Sequence, residues 1–206
     1  MLLWAGIILL LCGLACFVID RRAAHVFHAV VNRHAERILH RTTDWAKGAH
    51  WLVIALLGYL VAQVFVRLHL KTPAISLLNR ACVAFLASLA IASVILHTTK
   101  ILLGRRRPRD ELELNLYGFR PFTFDLASDS FPSGHALTIV CVAVILTSVS
   151  PMLAPLWFAI AIYLAMTRAL LNSHYLSDVL VGAAVGLITT REVLAHLFPS
   201  LMVGWF

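Results

Sequence analysis

Six long apolar runs constrain the fold of this chain more than any other feature. A membrane-spanning helix needs about 20 mostly uncharged residues, and a chain that is 61% hydrophobic and 13% charged supplies them. Backbone polar groups inside lipid must be satisfied within their own segment, so the runs are helices rather than open strands. We predict an all-α, polytopic membrane protein, a single domain over residues 1–206 with six transmembrane helices in one bundle. The predicted spans are 2–19, 51–70, 74–97, 135–150, 153–171 and 177–198.

The first run has a competing interpretation as a cleaved secretory signal. It lacks a basic stretch at its start, and from Leu2 to Ile19 it is longer than the usual apolar region of a signal. We therefore favour a retained helix. The four cysteines, Cys12, Cys16, Cys82 and Cys141, all lie in apolar runs, where we expect small buried side chains rather than disulfides or a metal site.

Residues 20–50 form a polar insert between the first two spans. Apolar residues recur there near helical spacing with arginines between them, which predicts an amphipathic helix at the membrane interface. The insert's histidines have poor ligand spacing, so we expect them to face solvent or headgroups rather than a metal. The net charge of +7 sits mainly at helix ends, which favours anionic lipid over nucleic acid as the partner. These histidines are His25, His28, His34 and His40.

Three polar clusters lie at the ends of apolar runs, and the first contains Lys100 and Arg107. Their spacing of seven residues is close to two helical turns, so both side chains can project from one face at the end of the third span. Arg107 precedes Pro108, which disfavours helix and turns the chain away. Considered alone, this basic run is also typical of ordinary interface anchors.

The second cluster reads Ser-Phe-Pro-Ser-Gly-His and ends at His135. Pro132 suits the first turn of a helix, with Ser130 or Phe131 at the cap. The free amides of that turn, with Gly134 allowing close approach, predict an anion site that His135 faces. An ordinary proline-initiated helix would explain Pro132 but neither the glycine nor the histidine.

The third cluster contains Arg168, His174 and Asp178. The spacing of His174 and Asp178 predicts one helix face and a hydrogen bond between them, which would fix the tautomer and make the other ring nitrogen a better nucleophile or base. Arg168 ends the fifth span and can point toward His174. A capping aspartate and a snorkelling arginine would also explain this cluster in isolation.

All three clusters fall on one face of the predicted membrane domain. That face carries 13 of the 17 lysines and arginines, the others being Arg67, Lys71, Arg80 and Arg191. The positive-inside rule would place such a face in the cytoplasm. Ionisable groups grouped at helix ends are candidates for function.

The ordered pattern Lys-x6-Arg-Pro, Pro-Ser-Gly-His and Arg-x5-His-x3-Asp resembles the type 2 phosphatidic acid phosphatase superfamily. The six-helix organisation is similar to that of its small bacterial membrane lipid phosphatases, and the stretch from Gly104 to Phe131 looks like lipid A 1-phosphatases and phosphatidylglycerol phosphate phosphatases. The third motif of the family usually opens with Ser-Arg, whereas this chain has Thr167-Arg168.

The resemblance implies a role for each residue of the clusters. His174 would attack phosphorus to give a phosphohistidine, Asp178 would orient it, and His135 would protonate the leaving oxygen. The phosphoryl oxygens would be bound by Lys100, Arg107, Ser133, Gly134 and Arg168. Water would hydrolyse the intermediate, and the resemblance implies no metal and no cofactor.

The implied function is a lipid phosphate or pyrophosphate phosphatase of the inner, cytoplasmic membrane. The resemblance places the active site on the extracytoplasmic, periplasmic face, against the charge count. One alternative is a phosphotransferase that passes phosphate from the same histidine to another lipid. A non-catalytic membrane protein is a further alternative, which degenerate motifs would favour and these intact motifs do not. We expect the aromatic loop 110–131 to shape the choice of headgroup.

Overall fold

The structure, a computed structural model, describes residues 1–122 and 129–206. Within those two ranges the chain forms a succession of α-helices joined by short turns and 3-10 segments. The helices are α1 (Leu2–Ala15), α2 (Asp20–Val30), α3 (Arg33–Thr43), α4 (Gly48–Arg67), α5 (Pro73–Leu103), α6 (Pro108–Leu114), α7 (Gly134–Val149), α8 (Ala154–Leu170) and α9 (Leu176–Leu197).

A helix forms in each of the six segments predicted to span the membrane, but the count of six spans is not confirmed. In the described ranges, four helical segments are long and apolar enough to cross: those containing α4, α5, α8 and α9. α1 reaches that length only together with α2, from which it is bent by 83°. α7 has 16 residues and is shorter than a usual span. The described part of the chain is thus that of a helical, multi-pass membrane protein with four to five candidate spans.

α7 is the central helix, and most of its side chains are buried against α5, α8 and α9. Its contact with α9 is made backbone to backbone. A Cβ atom added to Gly182 would lie 2.3 Å from the carbonyl oxygen of Ser133, and one added to Gly186 would lie 2.5 Å from that of Leu137. These two glycines therefore allow α9 to pack directly on the start of α7.

The polar insert folds as two helices rather than the single amphipathic helix predicted. The break falls before Asn32, whose side-chain oxygen accepts hydrogen bonds from the amides of His34 and Ala35 at 3.0 and 2.9 Å and so caps α3. α2 contacts α6, α8 and α9, and α3 packs on α8, so the insert covers one end of the bundle. The four insert histidines are exposed, as predicted.

The four cysteines are free, and only Cys82 and Cys141 are buried as predicted. Cys12 is exposed, because α1 contacts the bundle mainly through α9 and leaves its other side uncovered. Of the aromatic loop, the part up to Phe122 returns across the end of α5, where Arg105 and Phe119 form an antiparallel bridge. Residues 123–128 of that loop lie outside the described ranges.

Candidate active site

Lys100 lies in the last turn of α5, and Arg107 occupies the N-terminal cap of α6. The prediction that they share one helix face is wrong, because Gly104 adopts a left-handed φ of 55° and turns the chain back. The two cations still converge on Asp129: Lys100 Nζ lies 3.4 Å from Asp129 Oδ2, and Arg107 donates to Oδ1. The sequence analysis did not single out Asp129. Its carboxylate lies between Lys100 and Arg107, two residues predicted to bind phosphate.

The second cluster begins α7, but the residues at the cap differ from those predicted. The helix starts at Gly134 with Ser133 as its cap, and the hydroxyl of Ser133 accepts from the amide of Ala136 at 3.5 Å. Pro132 precedes the helix instead of occupying its first turn. The amide of Ser133 donates to the backbone carbonyl of Asp178 at 2.9 Å, which joins the start of α7 to the first turn of α9.

His174 lies in the segment that precedes α9, and its side chain is 4% exposed. Its Nδ1 atom is 2.7 Å from the backbone oxygen of Ser130. A carbonyl can only accept, so Nδ1 carries the proton and donates it, and the lone pair of the neutral ring is on Nε2. This contact defines which nitrogen is available as a nucleophile.

The predicted hydrogen bond between His174 and Asp178 is not formed, because Asp178 Oδ2 is 3.9 Å from Nδ1. His174 precedes the first residue of α9, so the two side chains do not share a helix face. Asp178 instead accepts from the Ser130 hydroxyl at 2.6 Å and from the Tyr175 amide at 2.8 Å. It therefore acts on His174 indirectly, through the amide of the adjacent Tyr175 and through Ser130, whose hydroxyl it holds and whose carbonyl receives the histidine proton.

Arg168 brings a third cation to the same place from the end of α8. It lies within electrostatic range of Arg107 and His174, and its NH1 atom is 3.4 Å from the hydroxyl of Thr43. That hydroxyl is also 2.9 Å from the hydroxyl of Thr167, the residue that departs from the family motif. Thr43 belongs to α3, so the polar insert supports Arg168, a contact that no sequence pattern indicated.

His135, in the first turn of α7, lies within electrostatic range of Arg168 and Arg107. In the described part of the chain, its Nε2 atom is buried and has no hydrogen-bond partner. The Nε atoms of Arg107 and Arg168 are likewise buried and have no hydrogen-bond partner among the described residues. Buried polar atoms normally have partners, so three such atoms on residues within electrostatic range of one another indicate a site for a polar ligand.

Burial lowers the pKa of His174 well below its usual value, and the nearby charges of Arg168, Lys100 and Arg107 lower it further. The ring is therefore neutral at neutral pH. A neutral imidazole surrounded by three cations is suited to attack an anionic phosphorus centre, because its lone pair is free and the cations attract the substrate.

Arg105 belongs to the basic run for which interface anchoring was the alternative interpretation, and its side chain is 1% exposed. Its guanidinium donates to Asp178 at 2.5 Å and to Asp20 at 2.7 Å. The rings of Phe17 and Tyr175 lie 4.4 and 4.2 Å from its central carbon. Burial by itself lowers the pKa of Arg105, but Asp178 and Asp20 outweigh it and raise the pKa above its usual value.

A second link joins the insert to the segment around His174. Arg21 donates to Glu111 at 2.6 Å, and the other oxygen of Glu111 accepts from the Tyr175 hydroxyl at 2.9 Å. Glu111 thus pairs with the insert rather than with the arginine run that precedes it. Tyr175 follows His174 directly, so this contact also fixes the backbone beside the histidine.

The family model described as the PAP2 superfamily matches residues 81–200. The chain belongs to this superfamily. The match contains all three clusters, from Lys100 to Asp178, and confirms the resemblance seen in the sequence. The contributions of Asp20, Arg21 and Thr43 come from the part of this PAP2 chain that precedes the matched region.

Among curated proteins, the PAP2 chain is similar to two proteins named lipid A 1-phosphatase. It is 32% identical to the one from Rhizobium johnstonii over 124 residues, 57% of this chain and 51% of the relative. It is 35% identical to the one from Rhizobium etli over 99 residues, 48% of this chain and 43% of the relative. The chain matches about half the length of these curated relatives.

A solved structure shares the fold of this PAP2 chain. The crystal structure of a transmembrane PAP2 type phosphatidylglycerolphosphate phosphatase from Bacillus subtilis superimposes with a TM-score of 0.63. The match covers 100% of this chain and 97% of the other at 18% sequence identity. The helical membrane architecture is therefore that of a known PAP2 membrane protein.

Proposed function

We propose that this protein is a phosphatase that removes phosphate from a membrane lipid by way of a phosphohistidine on His174. The observation that carries the proposal is the hydrogen bond from His174 Nδ1 to the Ser130 carbonyl, which leaves the Nε2 lone pair free. Nε2 would form a bond to phosphorus while the bond from phosphorus to the lipid oxygen breaks. His135, in its imidazolium form, would give a proton to that departing oxygen and become neutral.

The phosphoryl group would lie between the cations of the site and the start of α7. Lys100, Arg107 and Arg168 approach from three different segments, and charge spread over the phosphoryl oxygens in the transition state is what such cations stabilise. The Gly134 amide, at the first position of α7, and the Ser133 hydroxyl would donate to the same oxygens. The substrate would displace Asp129 from Lys100 and Arg107.

Hydrolysis of the intermediate would complete the cycle. A water molecule would attack phosphorus on the side from which the lipid left, His135 would take its proton, and the bond to His174 Nε2 would break. Inorganic phosphate would leave, and both histidines would return to their starting states. Every proton transfer in this scheme uses a group of the chain or water, so we propose a reaction that needs no metal.

The similarity to proteins named lipid A 1-phosphatase supports a phosphate carried by a glycolipid as the substrate. We further propose that the site faces the extracytoplasmic side of the inner membrane, as the family resemblance implies. The insert helices at the site end carry arginines that suit an interface rich in anionic headgroups, so the excess of basic residues there has a source other than a cytoplasmic location.

The test is phosphate release by purified protein in detergent micelles with EDTA. The substrates are phosphatidic acid, phosphatidylglycerol phosphate, undecaprenyl pyrophosphate and lipid A. We expect release from at least one lipid, none above background from His174→Gln, and unchanged release from His34→Gln, which alters an exposed histidine of α3. With a labelled phosphate, the wild-type protein should retain label in an acid-labile, alkali-stable form.

Full activity of His174→Gln would contradict the proposal that His174 is the nucleophile. Loss of release with EDTA, restored by a divalent ion, would overturn metal independence. Transfer of label to an added acceptor lipid instead of water would identify the phosphotransferase.

A further inference from the structure

Asp20 is a fully buried carboxylate far from the family motifs in sequence, yet it touches the catalytic segment. It stands at the 83° bend between α1 and α2 and is 0% exposed. One of its oxygens accepts from the amide of Ser177 at 3.0 Å, and the other accepts from the Ser177 hydroxyl and from Arg105 at 2.7 Å. The bend thus places the Asp20 carboxylate against the first turn of α9.

Arg105 transmits this contact to Asp178. Its NH2 atom binds Asp20, while its NH1 atom binds Asp178 at 2.5 Å and the Ser177 hydroxyl at 2.7 Å. The guanidinium is planar and held between the Phe17 and Tyr175 rings, so its two ends cannot move independently. A substitution at Asp20 would therefore move the guanidinium nitrogen of Arg105 that donates a hydrogen bond to Asp178.

From Asp178 the connection continues to the histidine in two steps. Asp178 accepts from the Ser130 hydroxyl at 2.6 Å, and the Ser130 carbonyl accepts from His174 Nδ1 at 2.7 Å. The Ser130 amide also donates to the Arg105 backbone oxygen at 3.0 Å, which holds the same segment from its other side. Each step joins buried groups, where hydrogen bonds are strongly directional and unpaired groups are costly.

We propose that Asp20 is a positioning residue for the reaction: it acts through Arg105 and Asp178 to hold the Ser130 carbonyl that fixes the tautomer and orientation of His174. The inference rests on the proposed function. It adds to the active site a residue that lies before the matched family region. The bend between α1 and α2 then contributes to catalysis as well as to packing, because it places Asp20 against α9.

The charges of the group explain why a carboxylate is needed at this position. Arg105 carries one positive charge between two carboxylates, all three nearly or fully buried. With a neutral group at position 20, Arg105 would be drawn wholly to Asp178, and the Ser177 amide and hydroxyl would lose an ionised acceptor. The Ser130 hydroxyl would then compete with a repositioned guanidinium for Asp178, and the segment that holds His174 would shift.

The kinetic test is Asp20→Asn, which keeps the shape of the side chain and removes its charge. We expect kcat to fall on the order of 10-fold or more, as for other groups that orient a reacting side chain, with KM changed less than about 3-fold. The matched control is Glu192→Gln, which removes a carboxylate paired with Arg191 about 21 Å along α9 from Asp178. That control should retain wild-type kcat.

A double-mutant cycle separates positioning from general loosening of the fold. If Asp20 acts through Asp178, then Asp20→Asn should cost little further kcat in an Asp178→Asn background. Additive losses, or a kcat for Asp20→Asn equal to that of the wild type, would overturn the proposal. If Asp20→Asn does not yield folded protein, Ser177→Ala removes one contact of Asp20 without burying a new polar group, and a several-fold loss of kcat is expected.

A measurement without turnover distinguishes failure of this proposal from failure of the proposed function. In protein labelled with ¹⁵N-histidine, His174 should give the signal of a neutral ring with its proton on Nδ1, assigned by its absence in His174→Gln. We expect that signal to shift or broaden in Asp20→Asn and to stay in place in Glu192→Gln. An unchanged signal overturns the proposal whatever the phosphate release shows.

Discussion

At the scale of single residues, the site is defined by which atoms remain unpaired and which are held. His174 is held at Nδ1 by the Ser130 carbonyl, which leaves the lone pair on Nε2, and Asp178 holds the Ser130 hydroxyl instead of touching the ring. These residues were all identified in the sequence, but the spacing of His174 and Asp178 predicted a direct contact between the two side chains. The contact fails because α9 begins only after the histidine.

Asp129 is the residue whose removal should most directly alter phosphate binding. Its carboxylate pairs with Lys100 and Arg107, so it competes with an incoming phosphate for both cations. We expect Asp129→Asn to tighten inhibition by orthovanadate, a phosphate analogue, by about 3- to 10-fold, because a partly exposed ion pair is worth roughly 1 kcal/mol. The measurement is the inhibition constant against lipid phosphate.

The control for Asp129→Asn is Glu113→Gln, which removes an exposed carboxylate from the same stretch of chain. It should leave the inhibition constant unchanged. Weaker inhibition of Asp129→Asn would show that the carboxylate instead holds Lys100 and Arg107 in position.

At the scale of helices, the packing of α9 on α7 brings the second and third clusters together. The hydrogen bond from the Ser133 amide to the Asp178 carbonyl ties the two helix starts, and Gly182 lets the backbones meet one turn further on. Apolar length and periodicity predicted both helices to within a few residues. They could not predict which glycines face a partner helix, since that depends on the rotation of each helix in the bundle.

Gly182→Ala should therefore damage catalysis from a position that bears no reactive group. The new Cβ atom would lie 2.3 Å from the Ser133 carbonyl oxygen and 3.1 Å from the Ser133 amide nitrogen, so the start of α7 must move. A displacement near 1 Å in an active site can cost on the order of 10²-fold in rate. We expect a loss of kcat of that order, measured as phosphate release by folded protein.

Gly58→Ala provides the comparison for Gly182→Ala. Its added Cβ atom would meet only the ends of two side chains, Cys82 Sγ at 2.9 Å and Leu78 Cδ1 at 3.7 Å, at the contact of α4 with α5. Those side chains can adjust, so kcat should stay close to that of the wild type. Equal losses in both variants would contradict the role given to the contact of α7 with α9.

At the scale of the whole molecule, one end of the bundle carries the three clusters and the insert helices that cover them. Both links from the insert to the segment around His174, through Asp20 and through Arg21, run across this end. The far end contains the turn between α4 and α5. Locating either end on one side of the membrane therefore determines the orientation of the whole protein.

Cysteine labelling answers that question with two positions at opposite ends. In a variant without the four native cysteines, we expect Glu113→Cys, beside the site, to react with an impermeant thiol reagent in intact cells. Lys71→Cys, in the turn between α4 and α5, should react only after lysis. The opposite pattern would place the active site in the cytoplasm, as the distribution of basic residues alone suggests.

The sequence alone determined the helical membrane class, the positions of most helices and the ordered set of residues from Lys100 to Asp178. These follow from local properties, since a span is set by its own apolar length and a motif by its own spacing. The way in which Asp20, Arg105, Thr43 and Asp129 join that set is visible only in the packed helices. Their partners lie 22 to 157 residues away, and such contacts depend on how bent and packed helices meet rather than on any local pattern.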